Sequence, residues 1–254
     1  MKNTSMTTND TTTTIPQIKN KKAASTLSKV SWEIRHQRIE LLNSNDQDEV
    51  LIYFQNLILQ LEKQIDDSLE SFCLTTITGK WLIGNMGIGP VSATRLLSYL
   101  DIQKCRTPEH LWSYAGLSPK QSDKSKSTYN SNLKEVCVDI GKNFVKYSSK
   151  PNCFYGKLYL EELDRRVDLN DKGEYLDLAK QTLESFNSKD KNWIKDKSIY
   201  ESGKIPQQRL EAQAQRYAVK IFLAHLHAVV YYEAFDIQYE THHKNIIPIH
   251  NSPF

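Results

Sequence analysis

The stretch RLEAQAQRYAVKIFLAHLHAVVYYEAF, residues 209–235, constrains the fold more than any other part of this chain. Its apolar residues recur at helical spacing, which predicts a helix of about seven turns. Residues 49–72 carry a second such pattern, with Leu51, Phe54, Ile58, Leu61, Ile65 and Phe72 at steps of three and four. Glu62, Lys63, Asp66 and Asp67 fall on the opposite face. This segment reads either as a coiled-coil seam of about three heptads or as a long amphipathic helix packed on its own domain. A third stripe, Leu133, Val136, Ile140, Phe144 and Tyr147, predicts a helix, and NCFYGKLYLEELDRR predicts a tyrosine-rich one after it. No β-alternation extends beyond short pieces, so the fold class is all-α.

The turns between these helices are also legible. In RTPEHLWSYAGLSPK, Thr107 is placed to cap a helix, Pro108 to occupy its first position and Glu109 to meet the positive end of its dipole. Gly116 is placed to end that helix in the left-handed conformation. Residues 1–45 begin with TTNDTTTT and carry KNKKAAS, a composition that predicts a disordered polar and basic tail. The long helix or coiled coil then covers residues 46–76, a hairpin-containing domain 77–150 and further helices 151–236. A polar linker falls near 186–205, and 237–254 reads as a tail.

Composition excludes little. The formal charge of +3 neither requires nor forbids a nucleic-acid partner. Four cysteines, Cys73, Cys105, Cys137 and Cys153, form no Cys-x-x-Cys pair, which argues against a zinc ribbon and for reduced thiols. No stretch reaches the roughly 18 apolar residues of a membrane span, and the first residues carry no signal-peptide core. The expectation is a cytoplasmic protein. His225 and His227, two apart on a helix, point to different faces and do not form the four-residue spacing that holds zinc. Phe154, Tyr155 and Tyr159 have core spacing. Arg216 and Lys220 form a basic pair one turn apart.

The segment NMGIGPVSA, residues 85–93, is the most specific. Glycine permits positive φ and close backbone approach, and Pro90 is suited to a first helical position. Leu82, Ile83 and Met86 are placed to face Ala93, Leu96, Leu97 and Leu100, with Ile88 plugging the turn. Two helices joined in this way aim backbone N–H groups at one point, which suits a phosphate. The candidate DNA-binding residues are Lys80, Gly87, Ile88, Gly89 and Arg95. The loop after this segment adds Lys120, Lys124 and Lys126, with Tyr129 nearby. The whole resembles the helix-hairpin-helix of DNA-binding proteins.

The resemblance continues through MGIGPVSATRLLSYLDIQKCRTPEHLWSYAGLSPK, which is similar to the C-terminal domain of insertion-sequence one-ten (also one-sixteen and nine-zero-two) family transposases. The matching positions are Gly87, Gly89, Pro90, Ala93, Asp101, Tyr114, Ala115, Gly116, Leu117 and Pro119. The helix at 49–72 stands where that family places a coiled coil. The resemblance implies DNA binding, a guide RNA as a partner, and a serine nucleophile shortly after the AGL-P segment. The nearest serines are Ser122 and Ser125, without the glycines of the family pattern. It also implies a ribonuclease-H-like domain with four metal-binding carboxylates, for which residues before 49 show no apolar strand ending in Asp. Asp46, Asp48 and Glu49 read instead as the start of a helix. No cofactor is expected in this chain, and a divalent metal only if another chain supplies the nuclease domain.

The expected function is therefore DNA binding in transposition or recombination, without autonomous nuclease chemistry and with self-association through residues 49–72. Two alternatives stand beside it. One is a serine-dependent recombinase completed by another chain. The other is a helical interaction protein in which the Gly-Ile-Gly segment is only a turn.

Overall fold

The computed structural model describes residues 17–43, 48–118, 129–185 and 191–237. Among them are ten helices and no strand, which makes the fold all-α as expected. The order is α1 (Lys21–Asn43), α2 (Glu49–Cys73), α3 (Ile77–Ile83), α4 (Pro90–Tyr99), α5 (Pro108–Tyr114), α6 (Ser131–Lys146), α7 (Phe154–Asp171), α8 (Leu176–Glu184), α9 (Lys191–Glu201) and α10 (Gln207–Phe235). No helix among the described residues is long and apolar enough to cross a membrane.

Helix α10 is the organising element. It packs on α3, α5, α6 and α7, and its middle, from Ala218 to Val229, is buried on nearly every side. A helix that is apolar all round belongs inside a core. Phe222 stacks on Trp81 at 5.8 Å and meets Phe144 and Tyr155 edge-on. His225 and His227 are both buried and serve the core. The His225 Nδ1 pairs with the Tyr155 hydroxyl at 2.9 Å, and the His227 Nε2 donates to the Cys105 carbonyl at 2.8 Å. Tyr155 and Tyr159 are buried and Phe154 packs against the same cluster, as their spacing predicts. All four cysteines are buried and free.

Helices α1, α2 and α4 form a second layer, joined to the first by the packing of α4 on α6. Helix α1 corrects the expectation of a tail through residue 45. Its inner stripe is Ala24, Ser28 and Ser31, all essentially inaccessible. These small residues let α1 lie close to α2 and α4, and Leu27 and Ile34 pack half-buried against Ile65, Leu69 and Val91 beside them. Arg35 pairs with Asp66 at 2.6 Å and Arg38 with Glu62 at 2.7 Å, tying α1 to α2.

Helix α2 packs on its own chain along only part of its length. Ile65, Leu69 and Cys73 are buried, whereas Val50, Tyr53, Phe54, Leu57 and Leu61 remain exposed. Ile39 and Leu42 of α1 are exposed as well. The linker expected near 186–205 also needs correction, because Lys191–Glu201 forms α9. Its Tyr200 joins Ala179, Ile205 and Leu210 in a small separate cluster. Asn170 fastens the chain there by donating to the Ile205 carbonyl at 3.1 Å and accepting from its N–H at 3.0 Å.

Candidate nucleic-acid interface

The turn between α3 and α4 is built by capping at both ends. Thr76 caps α3 by accepting from the Gly79 N–H. Glu233 of α10 accepts from the N–H groups of Ile77 and Thr78 at 2.9 and 3.0 Å, so a distant helix completes the cap. Asn85 is buried and donates to the Trp81 carbonyl at 2.6 Å, while its own carbonyl accepts from the Ile88 N–H at 3.1 Å. Gly87 has φ +96°, a conformation that side chains resist. Its carbonyl accepts from the Asn143 amide of α6 at 2.9 Å. Pro90 then opens α4 at its first position.

These contacts sort the candidate residues. Ile88 is 5% exposed and its N–H is engaged within the turn, so it plugs the core and offers no side chain outward. Gly87 is fixed against Asn143 and Phe144. Gly89 is different. It is exposed, has φ −88°, and has nothing within 4 Å of the position a Cβ would take. It stands as the N-cap of α4, and no side chain caps that helix. Lys80 is exposed on α3. Met86, expected against the second helix, is instead exposed.

Arg95 departs most from the reading of it as a phosphate contact. It is 7% exposed, and its guanidinium meets Glu135 at 2.7 Å and Asp139 at 3.9 Å. The cause is the packing of the inner face of α4 on α6, which draws the charge into the seam between them. Ser122, Ser125, Lys120, Lys124 and Lys126 lie outside the described residues.

Three residues of α6 escaped the sequence reading: Asn143, Lys142 and Lys146. Asn143 holds the turn, Lys142 adjoins it in sequence and is exposed, and Lys146 follows one helical turn after Lys142. The apolar stripe of α6 was legible, but nothing in its polar face announces which side chain meets a carbonyl 56 residues away. Arg216 is exposed, whereas Lys220 lies over the Trp112 ring at 5.1 Å. Burial pushes the Lys220 amine below its ordinary value, and Arg216 lowers it further.

The segment after α4 follows its expected chemistry closely. Thr107 accepts from the His110 N–H, and Pro108 and Glu109 occupy the first turn of α5. Gly116 has φ +68°. The Gly116 N–H reaches the Ser113 carbonyl and the Leu117 N–H the Trp112 carbonyl, the paired bonds of a Schellman motif.

No group of three or more His, Cys, Asp or Glu among the described residues is placed to hold a metal ion.

Comparison with known proteins gives one finding. No curated protein matches the chain, and no solved structure does. Residues 82–135 match the family model described as Transposase IS116/IS110/IS902 family. That span runs from the last turn of α3 into α6, so the part of this chain similar to the transposase domain is the turn, α4 and α5.

Proposed function

We propose that this protein binds DNA as a transposase-like component and contacts the phosphate backbone at the start of α4. The observation that carries the reading is the position of Gly89. It is the exposed N-cap of a helix without a side-chain cap, and it lies inside the segment similar to the transposase family. Backbone N–H groups at such an end favour an anion, and the absence of a Cβ leaves room for one to approach. Lys80 adds positive charge from α3, and Arg95 is removed from the set by its ion pairs. Phosphate contacts of this type position a protein without reading sequence.

Strand cleavage, in this reading, depends on carboxylates and a divalent metal supplied by another chain. Ser122 or Ser125 would be the nucleophile in such an assembly, and a guide RNA would be a further partner. Self-association through the exposed apolar residues of α1 and α2 is part of the same proposal, supported by their number and their position at one end of the pair. The test is equilibrium binding of the full chain to duplex DNA across a salt series. Affinity falling linearly on logarithmic axes supports phosphate contact. Absence of binding at low salt rejects it, and leaves the turn as a connection in a helical interaction protein.

A further inference from the structure

A groove of about 680 Å³ lies between α1 and α6, beside the turn but separate from the start of α4. Its volume falls within the range of sites that hold small organic groups. Asn143, which holds the Gly87 carbonyl, also lines the groove, so the groove reaches the turn. Two aromatic groups line it. From α1 comes Trp32, with the His36 ring tilted against it at 3.8 Å and the His36 Nδ1 fixed on the Trp32 carbonyl at 2.8 Å. From the residue before Asn130, the cap of α6, comes Tyr129, with the Lys134 amine 4.8 Å over its ring.

Charge narrows what fits. Glu135 and Asp139 line the groove, but Arg95 binds both from behind, and Lys142 stands 3.6 Å from Asp139. With Lys134, the cations outnumber the carboxylates by one. A cationic guest is therefore disfavoured despite the aromatic walls. A planar group carrying a phosphate suits the set. Aromatic faces stack on a base, lysines meet its phosphate, and the carboxylates and the Asn143 amide are the kind of groups that pair with base edges.

We propose that this groove receives one unpaired nucleotide of a bound nucleic acid. The inference rests on the DNA-binding reading but uses a different surface, made largely of α6 with Trp32 and His36 of α1, and only partly inside the span similar to the transposase family.

The test uses the full chain with an intact duplex and with the same duplex carrying one bulged fluorescent purine analogue. The bulged form should bind about five- to a hundredfold more tightly, in line with base–aromatic stacking, and the analogue's emission should be quenched on binding. Trp32→Ala should abolish both the preference and the quenching, and Trp32→Phe should keep them. Val138→Glu puts a carboxylate into the groove at a residue 42% exposed, so it spares the core if Trp32→Ala fails to fold. It should abolish both as well. A single-stranded RNA arm with the same analogue identifies which sugar the groove prefers, with quenching in either strand type supporting the site. Equal binding of bulged and intact duplex without quenching overturns the proposal, as does a preference that survives both Trp32→Ala and Val138→Glu. Failure of this site leaves intact-duplex binding in place. Failure of the turn as a phosphate site abolishes intact-duplex binding and leaves the quenching by the bulge.

Discussion

Asn143 donates its side-chain amide to the Gly87 carbonyl at 2.9 Å, and so fastens the turn between α3 and α4 to the last turn of α6. The bond joins the part of the chain similar to transposases to the core beneath it. It also makes the two glycines of the turn unequal.

Gly87→Ala should destabilise the fold by about 1–3 kcal/mol, because φ +96° is strained for any side chain. Contacts add little, since the new Cβ would meet Phe144 and Asn143 at ordinary distances. Gly89→Ala should change stability by less than about 1 kcal/mol, since its negative φ and open surroundings favour alanine while its place as an N-cap disfavours it. Denaturant unfolding of the two variants checks the contrast. Equal losses would mean that the turn is not held as described.

Arg95→Gln should cost about 1–3 kcal/mol of stability, through the lost charge-assisted bond to Glu135. It should leave the salt dependence of DNA binding unchanged, because the guanidinium is occupied within the fold. A shallower salt slope in this variant would place Arg95 on the DNA instead.

Stability should fall as the solution is acidified from neutrality toward pH 5, with His227 contributing. Burial pushes its imidazole below its ordinary value, against the opposing pull of the Cys105 and Arg106 carbonyls. The unfolded chain therefore takes up a proton, near pH 6.5, before the folded chain does. The contribution is complete above that value and is lost as pH falls toward the depressed folded value. His227→Gln should flatten this part of the profile while lowering stability at neutral pH. An unchanged slope between pH 7 and 5 would contradict the assignment.

Light scattering should find the chain self-associated, and a Phe54→Lys, Leu57→Lys variant should be monomeric with its helicity unchanged. Both residues are nearly half exposed, so lysine there does not disturb the described core. A monomeric parent chain would remove self-association from the proposal.

Much of this fold is written in the chain by large apolar residues. The stripes of α6 and α10 and the caps of α5 needed only spacing and turn chemistry. Helix α1 was hard to read because its fully buried positions are alanine and serine, which leave only the half-buried Leu27 and Ile34 to carry a hydrophobic signal. Helix α9 was illegible because it lies in a polar stretch, from which Tyr200 reaches the small cluster beside α8. The candidate site divides in the same way. The sequence placed the turn, Pro90 and the buried Ile88. It did not distinguish Gly87 from Gly89, since a conformation and an open space are tertiary facts. Nor did it locate the partners of Arg95, which lie 40 and 44 residues further along the chain.

The most direct measurement is DNA binding by Gly89→Asp, beside the parent chain, at low and moderate salt. Aspartate is a favoured N-cap and suits the extended φ and ψ at this position, so the variant should keep or slightly raise its stability. Its carboxylate would occupy the place proposed for a phosphate. We predict that duplex affinity falls by about tenfold or more, with helicity and unfolding midpoint preserved, since a like charge there repels the backbone. Undiminished duplex binding by a folded Gly89→Asp protein would contradict the account, and would move the DNA away from the start of α4.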